Sequence, residues 1–264
     1  MTSKDIEEVL RRHKLTGPYA QDDYVMAMET MHKPYGGKFM DQVDKGLRLG
    51  FTATRWRRLY AAKNVTTSLS LYVSSHSYTA THRVVLKWLM ASVGSIPDRW
   101  TELGCENGLL SMCIADLWPE SVGHGIDRVP QAIAVARQLA VKFGHQGLTF
   151  SMADLEKKDS VGSVNPAQLV LAPFVFHEML DGLNGNHEVA ACNVAALLAP
   201  GGSVVSFNRF PHRQIGIRRL AAFLQDGGLS VVGEDEVEVG AEKFAVVRAA
   251  KHVVPEAAAH SQKG

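Results

Sequence analysis

Residues 99–108 read Arg-Trp-Thr-Glu-Leu-Gly-Cys-Glu-Asn-Gly, and Leu109 to Trp118 follows as an apolar helical run. Arg99 to Leu103 predicts a short strand. Gly104 lets the backbone turn tightly and approach a ligand, and Gly108 does the same where the next helix begins. A strand, a glycine-containing loop and a helix in that order form the first half of a βα crossover unit, the building block of a parallel sheet.

Working outward toward the C-terminus, the same alternation continues. Ser121–Ile126 and Leu148–Met152 read as strands, with a long Ala-rich helix, Val129–Phe143, between them. Gln168–Ala172 is a compact apolar strand, followed by helix through about Leu180. A helix over Glu188–Leu198 stops at Pro200-Gly201-Gly202, and Ser203–Asn208 is the next strand. Gln214–Asp226 is helical, and Gly227-Gly228 ends it. Ser230–Val239 and Lys243–Ala249 are strands in succession, joined around Gly240 as a hairpin. This order predicts an α/β fold: a doubly wound, mostly parallel seven-stranded sheet with an antiparallel addition at one edge. Ligands on such sheets bind beyond the C-terminal strand ends. Val253–Gly264 reads as a frayed tail.

Outward toward the N-terminus the chain reads as helical. Asp5–Lys14 is a short polar helix, and Asp22–His32, Phe39–Leu49 and Thr54–Ala62 are further candidates, separated by glycine and proline. Thr66–Thr81 is rich in Ser, Thr and Tyr, so it is expected to wrap over something rather than join the core. Thr81–Val93 is amphipathic, with Val84, Val85, Trp88, Leu89 and Val93 on one side. Residues 1–95 carry 14 Lys and Arg against 8 Asp and Glu, a net +6, whereas the rest carries 14 against 19, a net −5. The chain is therefore divided into a helical lid and substrate-binding region (1–95), a cofactor-binding core (96–252) and a flexible tail (253–264).

The 264 residues are 46% hydrophobic and 21% charged, an ordinary globular composition that excludes collagenous, coiled-coil and disordered classes. Three cysteines, Cys105, Cys113 and Cys192, do not make a disulfide scaffold and fit a reducing, cytoplasmic setting. No Cys/His set has zinc-ligand spacing, so no metal is expected. No apolar run approaches a membrane span. A net +6 is too weak to announce nucleic-acid binding, and a solvated helical surface is the plainer reading.

Three loops carry the cofactor chemistry. Asp127, 19 residues after Gly108, ends the second strand, where a carboxylate can accept both hydroxyls of a ribose. Asp154-Leu155 follows the third strand, where Asp can accept from an adenine amino group and Leu can cover the ring. A dinucleotide would require glycine where Glu106 stands, because a carboxylate repels pyrophosphate and blocks close approach. A cofactor with a cationic sulfonium and no phosphate suits these carboxylates.

At this point the chain resembles the class I S-adenosylmethionine-dependent methyltransferases. The resemblance covers about residues 96–250 and rests on Glu102-Leu103-Gly104-Cys105-Glu106-Asn107-Gly108, Gly125-Ile126-Asp127, Ala153-Asp154-Leu155, Leu169–Phe174 and Leu198-Ala199-Pro200-Gly201-Gly202. It implies a seven-stranded sheet with the last strand antiparallel. It also implies that Gly104, Cys105 and Gly108 line the methionine end with Glu102 beneath, that Asp127 holds ribose with Arg128 beside it, that Asp154 and Leu155 hold adenine, and that the backbone of Ala172 or Phe174 holds the amino group. The product would be S-adenosylhomocysteine. Glu106 departs from the glycine that many members carry. If the position needs a positive φ, that costs on the order of 1 kcal/mol.

For the acceptor, His177-Glu178 follows the fourth strand near where the methyl should sit. His177 is a candidate general base oriented by Glu178 or Asp181, against the alternative of a helix-capping or packing histidine. An acidic acceptor would arrive deprotonated and need no base. The segment with Tyr72, His76, Tyr78, His82 and Arg83 is expected to contact cofactor or substrate, and Trp56 could stack on a flat acceptor. The absence of an Asn-Pro-Pro-Tyr motif at Ala172–Val175 counts against nucleobase substrates, leaving a small molecule or short peptide. A homodimer is compatible with the sequence. Aminocarboxypropyl transfer, cyclisation and a non-catalytic partner subunit are the alternatives, with a nicotinamide-dependent oxidoreductase disfavoured by Glu106.

Overall fold

The computed structural model describes residues 3–16, 60–61, 63–64, 66–93, 96–181, 185–209, 213–239 and 242–251. The helices expected over Asp22–His32 and Phe39–Leu49, most of Thr54–Ala62, Trp56 and the tail lie outside them.

The strands are β1 (Arg99–Leu103), β2 (Val122–Asp127), β3 (Thr149–Met152), β4 (Ala167–Pro173), β5 (Leu198–Asn208), β6 (Leu229–Val239) and β7 (Glu242–Lys251). They form one seven-stranded sheet in the order β3-β2-β1-β4-β5-β7-β6. β1 to β5 pair in parallel; β7 is antiparallel to both β5 and β6. The reversal between β1 and β4 is the switch point at which such sheets open a crevice.

The hairpin is present as the antiparallel addition at one edge, with the last strand, β7, as the antiparallel one. β7 inserts between β5 and β6, leaving β6 outermost. The residue pattern explains this placement. Phe244, Ala245, Val246, Val247 and Ala249 of β7 are buried, as an interior strand requires. β6 alternates half-buried and exposed positions and carries Glu234, Asp235, Glu236 and Glu238, charges that keep an edge from pairing with other chains. β5 begins earlier than expected, at Leu198. Its Pro200-Gly201-Gly202 turn is an irregularity inside the strand, where Ala167 pairs with Leu198 but Leu169 pairs with Ser203. A Cβ on Gly202 would sit 2.9 Å from the Ala167 carbonyl oxygen.

The helices are α1 (Ser3–Arg12), α2 (Thr67–Ser77), α3 (Thr79–Ser92), α4 (Leu109–Leu117), α5 (Pro130–Phe143), α6 (Phe176–Asp181), α7 (His187–Ala196) and α8 (Arg213–Asp226). On one sheet face, Trp100, Met112, Leu139 and Phe207 form a core that also takes in Ile6 and Leu10 of α1, Leu71 of α2, and Val85, Leu86, Trp88 and Leu89 of α3. α1 is thus more apolar on its inner side than its polar composition suggests, and Leu86, rather than Val84, completes the α3 stripe. Trp88 meets Phe207 edge-on at 5.5 Å. The other face buries Val170, Phe176, Leu220 and Phe223. The Thr66–Thr81 stretch is helical. Thr66 caps α2 by accepting from the Leu69 N–H, and Leu69, Ser70, Leu71 and Ser74 are buried.

Candidate functional site

The loop from β1 to α4 has three left-handed residues in five: Gly104 at φ 62°, Glu106 at φ 49° and Gly108 at φ 74°. The two glycines are also sterically required. A Cβ on Gly104 would lie 2.5 Å from Val175 Cγ2, and one on Gly108 would lie 2.6 Å from the Phe150 ring. Glu106 adopts the glycine-like conformation with a side chain, and its surroundings offset the cost. Its carboxylate pairs with the ammonium of buried Lys63 at 2.7 Å. Its backbone N–H donates to Asp127 Oδ2 at 3.0 Å, while Val129 N–H donates to Oδ1 at 2.8 Å, so Asp127 ties the first two loops together. Asn107 Nδ2 donates to the Ser70 and Ser74 hydroxyls at 2.7 and 2.8 Å, and that pair of bonds seats α2 over the loop.

One cavity joins these loops to the N-terminal segment. Its floor is Glu102, Gly104, Cys105, Glu106 and Asn107; one wall is Asp127, Arg128, Asp154, Leu155 and Glu156; the other is Phe174, Val175, Glu178 and Met179. Tyr60, Tyr78, Thr81 and His82 close over it. Burial pushes Asp127 up to about 6. Burial likewise raises Glu102 to about 7, with the nearby Asp127 and Glu106 adding to the effect, although the Ser111 hydroxyl donates to its carboxylate. Burial also raises Glu178 to about 7, against the hydrogen bond it accepts from Tyr60 OH at 2.8 Å.

Beside Glu178, Lys63 Nζ donates to Tyr78 OH at 2.5 Å and lies 4.5 and 4.4 Å from the centres of the Tyr60 and Tyr78 rings. Burial alone would weaken its hold on the proton; the charge of Glu106, together with Tyr78 and the hydrogen bonds to both, outweighs that and holds the ammonium firmly. His82 stacks on Tyr78 with centroids 6.1 Å apart. Burial, helped by Lys63, lowers it to about 4, so its imidazole is neutral at pH 7.

Of the residues singled out from sequence, Glu102, Gly104, Cys105, Asp127, Arg128, Asp154, Leu155, Phe174, Glu178 and Tyr78 line this cavity. Gly108 supports the loop from behind, and Ala172 is fully buried within β4. His177 is not among the lining residues; it is half-buried on α6, with its ring 6.4 Å from that of Phe174. Arg83 points to Glu7 on α1, in a two-pronged pair at 2.5 and 2.9 Å, and does not line the cavity. Tyr72 lies on α2, and its side chain, like that of Asp181, is outside the described set. Sequence reading missed Tyr60 and Lys63 entirely, because nothing local marks them; the unusual Glu106 was the one pointer to a buried cation.

No protein-family model matches the chain, and no curated protein sequence does. Solved structures do match. A magnesium protoporphyrin IX methyltransferase from Synechocystis PCC 6803 with bound SAM is 16% identical, covers 89% of this chain and 100% of its own, and superposes with a TM-score of 0.51. A putative methyltransferase in complex with the Trm112 activator from Haloferax volcanii gives 14% identity, 74% and 96% coverage and a TM-score of 0.54. The [4+2]-cyclase SpnF gives 15%, 66% and 81%, and 0.52. At these identities the likeness is one of fold.

Proposed function

We propose that this chain, whose fold is that of the class I S-adenosylmethionine-dependent methyltransferases, binds S-adenosylmethionine in the cavity described and transfers its methyl group to a small molecule or short peptide-derived metabolite. One observation carries this reading. Glu102, Asp127, Asp154, Glu156 and Glu178 surround a crevice at the strand ends, with Arg128 the only cation lining it among the described residues. Such a site attracts a ligand with an ammonium and a sulfonium and repels a pyrophosphate. Asp127 accepts the ribose hydroxyls, Asp154 and Leu155 hold adenine, and the glycine turn admits the methionine end.

Bound S-adenosylmethionine supplies an electrophilic methyl on a sulfonium; the chain holds the acceptor in line with it and, where necessary, takes its proton. Glu178 is the proton acceptor in this reading. It lines the cavity, it is poised near neutrality, and Tyr60 orients it. His177, outside the lining, is assigned to packing around Phe174. Neutral His82 and the Tyr60–Lys63–Tyr78 cluster shape the acceptor pocket. Residues 1–95 serve as a substrate-facing lid on the 96–252 core, with 253–264 as a tail, and the two buried free thiols, Cys105 and Cys113, suit a cytoplasmic protein.

Calorimetry tests the reading first: micromolar to sub-millimolar S-adenosylmethionine binding is expected, and none at millimolar ligand overturns it. The presence of a cyclase among the structures sharing this fold favours ring closure as the second reading. Product analysis separates these readings and aminocarboxypropyl transfer. Methyl transfer releases S-adenosylhomocysteine, a cyclisation that leaves the cofactor whole releases nothing, and aminocarboxypropyl transfer releases methylthioadenosine.

A further inference from the structure

A second cluster of ligating side chains lies at the opposite end of the sheet. Helices of a βα unit start at the C-terminal strand ends and run back, so Asp116, next to last in α4, and His145, just past α5, lie far from the cavity. His13, just past α1, completes the group. We propose that His13, Asp116 and His145 bind a divalent transition-metal ion of the zinc class, which staples the N-terminal helix to the core.

Geometry supports this first. The three residues come from sites 103 and 29 positions apart, yet each offers a ligand atom within 4.8 Å of the others. His13 Nε2 is 2.9 Å from Asp116 Oδ2, and His145 Nε2 is 3.5 Å from Asp116 Oδ1. A tetrahedral zinc at 2.0–2.1 Å from its ligands requires ligand atoms about 3.3 Å apart, between those two values.

Burial supports it next. The His13 side chain is 0% exposed, and those of Asp116 and His145 are 9% exposed. His145 Nε2 is a buried ring nitrogen with no hydrogen-bond partner, a state that calls for an ion or water. A metal there would use its lone pair. The rings are already held in place: His13 packs edge-on to Phe143 at 4.9 Å and lies 5.2 Å from His145.

Ligand chemistry sets the class of ion. Two imidazoles and one carboxylate suit zinc, cobalt or nickel, whereas calcium and magnesium prefer oxygen sets. Arg12 Nη1 donates to Asp116 Oδ1 at 3.0 Å, a bond that holds the carboxylate in place between the two imidazoles. Its charge opposes the ion, but the Arg12 side chain is 54% exposed, so water screens it. Each imidazole would bind the ion as the neutral ring through the Nε2 lone pair, with its proton on Nδ1, and water completes the fourth position.

The test is titration of the metal-stripped full-length chain with Co²⁺, followed by Zn²⁺ competition. One Co²⁺ per chain, with the strong visible bands of a four-coordinate site, is expected, and Zn²⁺ should displace it and raise the melting temperature. His145→Asn and Asp116→Asn should each weaken binding by more than the roughly 10–100-fold cost of losing a hydrogen-bond partner of a ligand, with S-adenosylmethionine affinity and circular dichroism reporting that the fold persists. His145→Gln serves if His145→Asn does not fold. Absence of saturable binding by the unaltered chain overturns the site, as does one-to-one binding that these substitutions leave unchanged.

Discussion

The two ends of the sheet treat a buried carboxylate in opposite ways. At the C-terminal strand ends, burial lifts Glu102, Asp127 and Glu178 to about 7, 6 and 7. At the other end, burial works in the same direction on Asp116, yet a hydrogen bond from His13 and the charges of His13, His145 and Arg12 outweigh it and hold Asp116 below the ordinary range. The difference lies in what surrounds each group. The cavity acids have backbone N–H groups and hydroxyls for partners and little positive charge, an arrangement that leaves them ready for a cationic ligand. Asp116 is ringed by nitrogens from two segments of the chain, Arg12 and His13 at the end of α1 and His145 past α5. Lys63 is the exception at the upper end, and its charge is committed to Glu106.

The comparison can be broken or sharpened by experiment, beginning with the largest expected effect. If Glu178 takes a proton, Glu178→Gln should lower turnover about 10²–10⁴-fold and remove the limb of the pH–rate profile near 7, while S-adenosylmethionine affinity, held by the other cavity carboxylates as well, falls far less. Full turnover in this variant would return the base role to another group. Next, Lys63→Met strands the Glu106 carboxylate in a buried, left-handed loop. Breaking such a pair costs about 3–5 kcal/mol, or a fall of about 10 °C in melting temperature, and adding Glu106→Gly should recover most of it. A double variant as unstable as the single one would show that Lys63 acts through something other than Glu106.

Asp127→Ala should weaken S-adenosylmethionine binding by about 1.5–3 kcal/mol, and unchanged affinity would remove the ribose assignment. The smallest effect is electrostatic. Carboxylates whose folded pKa lies above the unfolded one hold more protons when folded, so their contribution to stability is present at low pH and is lost as pH rises through 6–7. Buried His82, His124 and His145, whose folded pKa is lowered, work in the opposite sense as unfolded histidines charge near 6.5, so the effect is read as a difference: the ligand-free melting temperature of the unaltered chain minus that of Glu178→Gln should rise on acidification from pH 8 to 6.5. Cofactor binding at pH 6.5 should release protons, read as a dependence of the calorimetric heat on buffer ionisation enthalpy. An absence of proton release would mean that the cavity acids do not face the cationic part of the ligand.

Much of the upper end was legible because each of its parts is local. Strand, loop and helix follow one another, so Gly104, Gly108, Asp127 and Asp154 announce themselves by their position after a strand; the cavity gathers Gly104, Asp127 and Asp154, and Gly108 supports the loop behind it. Glu106 was conspicuous as a non-glycine, and its positive φ is now explained by Lys63, 43 positions earlier. The place of β7 was open to a closer reading, since the acidic alternation of Glu234 to Glu238 marks β6 as the edge. The helical character of Thr67–Ser77 was obscured by its serines, two of which, Ser70 and Ser74, face Asn107 rather than water.

The sequence by itself determined the doubly wound sheet, the seven strands and the loops in which a ligand can sit, because backbone propensity and apolar period act over a few residues. Only the tertiary structure decided which side chains share a buried space. It brought Tyr60 to Glu178 and His13 to Asp116 and His145, and it turned Arg83 toward Glu7. These pairings depend on how helices from distant parts of the chain pack on one sheet face. That packing follows from the joint burial of Leu10, Leu86, Trp88 and Phe207, which no local window of the sequence contains.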